Sequence, residues 1–382
     1  MRSFGRWGLD EGLGGVDVMK SSLVVRGLNR RQFLAAAGGC VVLPLRGLVS
    51  AAVAGALQRT GVGLASDVWG IHQRSQVAGG QKGDLSDPLV FLEQCHRLGA
   101  RGMQGPLGIR EDDYLAKLRK WADDRDLYIE GSIDLASPRL EVARFEKEVL
   151  TAKSAGAKVI RTVVNPGRRY EQFNSAEEFA RASARALETL QKVEPVVAKH
   201  KIRLAVENHK DHRVAERVEM LKRLSSAWIG MCVDVGNSFS LCEDATEVVR
   251  AYAPWAFSVH LKDQAVREYE DGFLFADVAL GKGFLDLPAM VRILREAHPE
   301  VRFSLEVITR SALRVPVLTE KYWASMAGVS ASDLARTLKT VKAKAAAEAF
   351  PAISSLPIEG QVETEAQNIQ QSLAYARERL LI

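Results

Sequence analysis

The sequence predicts an α/β chain folded as one (β/α)8 TIM barrel, a single domain with a C-terminal helical extension, on three observations. Eight short apolar runs alternate with stretches of helical periodicity from residue 60 onward. The last four runs each close on a carboxylate or an imidazole in one shared register. No Gly-rich phosphate turn follows the first run, which sets aside a doubly wound sheet.

Taken in order, the strand candidates are Val62–Ser66, Gly102–Gln104, Leu127–Ile133, Val159–Val164, Arg203–Glu207, Gly230–Asp234, Phe257–His260 and Arg302–Val307. Helical spacing covers Pro88–Leu98, Asp113–Asp124, Leu140–Ala155, Ala176–Lys199, Val214–Leu224, Ala245–Tyr252 and Leu287–Ala297. Gly99-Ala100 and Gly156-Ala157 are helix stops placed just before the next strand. Two regions break the alternation. Gln264–Phe284 is a long connection ending in Gly281-Lys282-Gly283-Phe284, at the barrel end where loops shape substrate sites. Residues 331–348 and 361–380 both read as helices, and the sequence leaves open which of them is the eighth barrel helix. The last one suits a cap on the barrel or a contact with a second copy in a homo-oligomer. The expected division is a signal region over 1–56, the barrel core over 57–310, and C-terminal helices over 311–382.

The formal charge of +5 invites a nucleic-acid partner, but the excess is local. Residues 1–56 carry seven basic against three acidic side chains, leaving 45 against 44 in the rest. A near-neutral body offers no field for a phosphate backbone, so no nucleic acid is expected. Within the N-terminal segment, Asn29-Arg30-Arg31-Gln32-Phe33-Leu34 resembles a twin-arginine export motif, followed by an Ala/Gly-rich stretch to Ala56. Pro44 and Arg46 interrupt that stretch, so no stable membrane span is expected in the mature form. Ala54-Gly55-Ala56 is a candidate cleavage site, and Met1 and Met19 are both candidate starts. The expectation is a periplasmic protein delivered by the twin-arginine export machinery, with a membrane-attached form left open. Cys95, Cys232 and Cys242, the cysteines after that segment, have neither disulfide-framework nor metal-knuckle spacing.

The chemistry-bearing residues are Glu207, Asp234, His260 and Glu306 at the last four strand ends. Alternation along a strand puts Ala205, Cys232, Ser258 and Ser304, all small, inward one step below them. Val206, Val233, Val259 and Leu305 then face outward under the helices. Three carboxylates and an imidazole converging in a confined mouth are costly without a cation. One divalent metal resolves the conflict, and the mixed oxygen and nitrogen donors suit Mn, Co, Fe or Zn and permit Mg.

With these residues the chain resembles the xylose isomerase-like barrel superfamily of sugar isomerases and epimerases, over roughly residues 60–310. The resemblance implies that Glu207, Asp234, His260 and Glu306 bind the metal. It also implies that Glu207 and Glu306 remove and return a proton beside the carbonyl of a small carbohydrate substrate, through an enediolate. Arg267, seven residues after His260, resembles the family's substrate-holding arginine. Many relatives carry a histidine three residues after the metal aspartate. Asn237 stands there in this chain, and an amide hydrogen-bonds a hydroxyl but does not shuttle protons.

Supporting candidates for substrate binding are His209, Lys262, Glu130 and Arg161. His209 falls inward if its strand continues, and a loop role is equally open. Lys262 is two positions past His260, and Glu130 and Arg161 either contact substrate or pair with each other. His212 and Arg168-Arg169-Tyr170 read as solvated loop, and Trp69, Trp255 and Trp323 as core residues or sugar-stacking faces. Loss of hydroxide from the same intermediate would make the enzyme a lyase or dehydratase on a keto-sugar or inositol derivative. An abasic-site nuclease needs more histidines on early strands than His209 supplies.

Overall fold

The computed structural model describes residues 60–78, 84–135, 141–326 and 328–382. The export motif, Cys40 and the rest of 1–56 lie outside them. Eight strands close a parallel barrel: β1 (Val62–Ala65), β2 (Gly102–Gly105), β3 (Tyr128–Ser132), β4 (Val159–Thr162), β5 (Arg203–Glu207), β6 (Ile229–Asp234), β7 (Ala256–Leu261) and β10 (Arg302–Leu305). The order around the ring is sequential, with β10 pairing both β7 and β1. Helices start where the sequence places capping residues. The Asp87 carboxylate accepts from Leu89 and Val90 N–H before the proline-led helix Pro88–Arg97, and Asp244 and Asp286 cap two later helices the same way. The outward strand residues Val206, Val233, Val259 and Leu305 join the core under those helices.

Two aromatic rings line the amino-terminal end of the barrel. Tyr128 crosses from β3 so that its hydroxyl accepts from Gly63 N–H (3.1 Å) and donates to the Phe303 carbonyl (2.8 Å). A register shift in the β6–β7 ladder between Met231 and Cys232 accommodates Phe257, which packs on Val159, Ala205 and Cys232. Glycines make the room. A Cβ at Gly63 would stand 2.3 Å from the Tyr128 hydroxyl, and one at Gly102 would stand 2.3 Å from the Tyr128 carbonyl oxygen.

The connection after β7 is not an irregular loop. After Lys262 the chain runs straight into β8 (Asp263–Tyr269), turns, and returns as β9 (Gly272–Val278), with β11 (Leu313–Val315) paired antiparallel to β9. Alternation explains it: Val266, Phe273, Phe275 and Val315 are buried in a second core with Tyr170, Tyr322 and Val341. Asp263 anchors the end of this arm, since its carboxylate accepts from Gly281, Gly283 and Leu285 N–H at 2.9, 2.9 and 3.3 Å.

The C-terminal question is also resolved. Helix Ala331–Ala343 packs on the hairpin through Leu334, Leu338 and Val341. Helix Ile358–Tyr375 sends Ile369 and Leu373 into the main core, and its Glu365 carboxylate accepts from Ile71 N–H (2.7 Å) and His72 N–H (2.9 Å) at the start of helix Gly70–Ala78. It is the eighth barrel helix. Leu57–Ile382 forms one compact unit, and among the described residues no helix is long and apolar enough to cross a membrane.

Because the atom facing Gly102 is backbone, Gly102→Ala should lower unfolding free energy by about 1–3 kcal/mol. A urea titration beside a surface Gly360→Ala control, where the nearest atom is a side-chain Cβ at 3.8 Å, checks it.

Candidate metal centre

Glu207 and Asp234 are the last residues of β5 and β6, His260 is the next-to-last of β7, and Glu306 follows β10 directly. Asp234 pairs with His260 across the β6–β7 ladder, and Ser304, two before Glu306, pairs with His260 on the other side. The sequence register thus becomes a physical level in the barrel. One ligand atom from each of the four lies within 4.8 Å of the others, and all four side chains are buried.

The surrounding hydrogen bonds fix which atoms face the centre. Asp234 Oδ1 accepts from Gly236 N–H (3.0 Å) and Asn237 N–H (2.8 Å), which leaves Oδ2 pointing inward. Gln104 donates from Nε2 to Glu130 Oε2 (2.9 Å) and lies within 3.2 Å of Ser258 Oγ, so its Oε1 turns to His260 Nε2 at 2.5 Å. A carbonyl only accepts, so the network assigns the proton to Nε2 and leaves Nδ1 as the donor atom toward a cation. His260 Nδ1 and Asp234 Oδ2 are both buried and turned to the centre, Nδ1 3.2 Å from Glu306 Oε1 and Oδ2 2.7 Å from Lys262 Nζ. Two buried atoms of ligand type, converging with two glutamates, fit one divalent ion.

Protein cations cover part of the charge. Arg161 binds Glu207 Oε2 through Nε (2.8 Å) and Nη2, and Lys262 Nζ bridges Asp234 Oδ2 (2.7 Å) and Glu306 Oε2 (2.5 Å). Burial pushes the Glu207 carboxyl up, but the Arg161 guanidinium together with His260 outweighs it and holds the group well below the usual carboxylate range. Burial likewise opposes ionisation of Glu306, yet His260 and Lys262 keep it depressed. Asp234 goes the other way: burial carries it to about 6 despite Lys262. Three carboxylates face two fixed cations.

The other expected site residues are divided. Asn237 joins the cluster, with Nδ2 donating to Glu207 Oε1 (3.3 Å) and Oδ1 accepting from Lys210. His209 is half-buried, its Nδ1 has no partner among the described residues, and burial followed by the Lys210 charge drives its pKa down to about 4. Arg161 pairs with Glu207 rather than with Glu130. Glu130 lies a level deeper, where its carboxylate accepts from Gln104 and from Ser258 (2.6 Å). Arg267 stands on the hairpin opposite Leu274 and takes no part in the hydrogen bonds of the cluster. The arginine drawn toward this side is Arg310, which pairs with Asp277 (3.1 Å) and lowers the Lys210 pKa to about 8, after burial and together with Lys262.

Lys210, Gln104 and Arg310 escape sequence reasoning, because none falls on the four strand ends. Two readings need correction. His212 is fully buried, held between Asp211 Oδ2 and Ser183 Oγ at 2.9 Å each. Arg169 is buried as well, bonded to Glu216 and the Ser325 carbonyl and stacked 3.5 Å over Phe179. Both find partners far away in sequence, which a solvated-loop reading does not see. Trp69 is buried in the main core, and Trp323 donates its indole N–H to the Val317 carbonyl (2.8 Å).

Comparison with known proteins follows the same lines. A family model for xylose isomerase-like TIM barrels matches residues 92–331. The chain is 28% identical over 184 residues to a 3-oxo-isoapionate decarboxylase of Pectobacterium atrosepticum, covering 47% of this chain and 62% of that relative, less than two thirds of its length. Among solved structures it is similar to a xylose isomerase-like TIM barrel protein from Mycobacterium smegmatis in complex with magnesium, at 17% identity and TM-score 0.49, covering 68% of this chain and 93% of that one. It is also similar to a D-psicose 3-epimerase from Clostridium cellulolyticum H10 with D-tagatose, at 12% identity and TM-score 0.47, covering 66% and 90%.

Two outcomes are expected. Chelator-competition titration with Mn²⁺ should show tight binding that Asp234→Asn abolishes and Gln104→Leu weakens by about 10–100-fold, the cost of losing a histidine's supporting partner. The second concerns pH. Burial raises Glu130 to about 7 from an ordinary value of 4.5, despite bonds from Ser258 and Gln104. Between those values the native state binds more protons than the unfolded chain, so this group's contribution to stability falls as pH rises from about 4.5 to about 7. Urea titrations at pH 5 and pH 8 should therefore differ less for Glu130→Gln than for the parent.

Proposed function

The chain belongs to the xylose isomerase-like TIM barrel family, and on that premise we propose that it is a metal-dependent sugar isomerase or epimerase. It removes a proton next to the carbonyl of a small carbohydrate and returns it to the neighbouring carbon or the opposite face. The observation that carries this reading is the pair Glu207 and Glu306, two carboxylates from separated strands turned to one centre, both kept ionised by neighbouring positive charge.

Glu207, Asp234, His260 and Glu306 would hold the ion, which when bound supplies Lewis-acid polarisation of a substrate oxygen. The protein's residues do the rest. Either glutamate can take the α-proton as a general base, and the other faces the same carbon from across the site. Arg161 keeps Glu207 in place with a two-nitrogen grip, and the Asn237 amide fixes the second Glu207 oxygen. Lys262, whose ammonium bridges Asp234 and Glu306, would be the donor placed for an oxyanion.

A second reading is supported by the similarity to a decarboxylase and by Lys210, Lys262 and Arg310 gathered on one side. A 3-oxo acid that loses carbon dioxide leaves an enolate, which then takes up one proton. The three cations would receive its carboxylate. On the same footing, the Asn29–Leu34 segment is proposed as a twin-arginine address. A tagged full-length chain that reached the periplasm of a strain lacking that translocase would refute it.

Incubation of the Mn²⁺-loaded protein in D₂O with free aldoses, ketoses and 3-oxo sugar acids separates the readings by mass spectrometry. Incorporation of one deuterium without mass loss is the expected result. Release of carbon dioxide or water places the enzyme among the lyases. Glu207→Gln and Glu306→Gln should each cut exchange by about 10²–10⁴-fold. Undiminished exchange in both variants would refute the two-carboxylate assignment.

A further inference from the structure

A cavity of about 860 Å³ opens at the amino-terminal end of the barrel, on the face opposite the metal centre. Its walls are the aromatic rings of Tyr128, Phe257 and Trp228. Five cations line it, Lys153, Lys158, Lys201, Arg203 and Arg302, against two exposed acids, Asp123 and Glu300. Two guanidinium groups are already placed, Arg203 at 4.8 Å over Phe257 and Arg302 at 5.5 Å over Tyr128. The buried end holds Glu130, 2% exposed, with Oε2 occupied by Gln104 and Ser258 and Oε1 without a hydrogen-bond partner among the described residues.

These features differ from those of a barrel floor that serves stability alone. Such floors are filled by branched apolar side chains. Here a lone carboxyl oxygen waits at the inner end, apolar faces form the sides, and positive charge rings the entrance. A buried polar atom left unmatched costs about 1–3 kcal/mol, and a bound hydroxyl would recover it. We propose that this cavity is a second ligand site, distinct from the metal centre, for a small anionic polyol. Its hydroxyl meets Glu130 Oε1, its C–H face packs on Tyr128 and Phe257, and its anionic group meets Arg203 and Arg302. A sugar acid and a sugar phosphate share that chemistry.

Calorimetric titration of the full Mn²⁺-loaded chain with D-gluconate, 6-phospho-D-gluconate and inorganic phosphate tests this. At least one polyol should bind with Kd of about 1 mM or tighter, about tenfold better than inorganic phosphate, and the carboxylate and phosphate arms identify the preferred anion. Arg203→Ser with Arg302→Ser should weaken binding about tenfold or more, the loss of roughly one charge-assisted contact. Lys158→Ser, on an exposed loop, gives the same direction should the arginine variant unfold. Glu306→Gln should leave Kd within about twofold, since the metal centre is on the other face. The proposal is overturned if neither polyol binds, if inorganic phosphate binds equally well, if the cavity variants leave Kd unchanged, or if Glu306→Gln abolishes binding.

Discussion

Three carboxylates held in one buried space are the constraint on which the upper half of this barrel depends. Each would be driven toward protonation by burial, and their mutual repulsion adds to that. Asp234 shows the tendency, since it rises to about 6 even with an ammonium at 2.7 Å. Glu207 escapes it through Arg161 on β4 and Glu306 through His260 on β7 and Lys262 just beyond it, with His260 also acting on Glu207. The same countercharges that make the site tolerable also keep both glutamates ionised, the form the proposed chemistry requires. Structure and chemistry here have one cause.

The cluster is possible because of what lies beneath it. Ala205, Cys232, Ser258 and Ser304 are small enough to leave Gln104 and Glu130 room inside the ring, and those two connect the metal level to the floor. A (β/α)8 interior filled with branched apolar side chains would hold the ligands in place by packing alone. This one uses hydrogen bonds, which also set the tautomer of His260. Glycines at 63 and 102 then admit the Tyr128 ring that crosses the lower end.

Much of this was legible in the sequence, for a definite reason. Strand-end ligands follow a period of two, so Glu207, Asp234, His260 and Glu306 could be aligned without knowing the fold, and small residues two positions earlier confirmed the register. The hairpin after β7 carried the same period in Val266, Phe273 and Phe275, but its partner β11 lies about forty residues on, across another helix and barrel strand. Arg169 and His212 look like loop polar residues because their partners, Ser325 for one and Ser183 for the other, are set by tertiary packing. Arg310 and Lys210 were hidden similarly, being placed by loops rather than by a strand's alternation.

What divides isomerase from lyase is which group must be charged before the substrate arrives. An isomerase or epimerase needs a base on each side of one carbon, and the depressed Glu207 and Glu306 are both ready in that form. A decarboxylase needs no base for its first step; it needs cations placed for a carboxylate and one acid to deliver a proton. Lys210, at about 8, still carries its charge at neutral pH, but it is spent on Asn237, and Arg310 is spent on Asp277. Releasing them would cost hydrogen bonds already made, whereas Glu207 and Glu306 face the centre as they stand. On that balance the two-base chemistry has the shorter path from this structure.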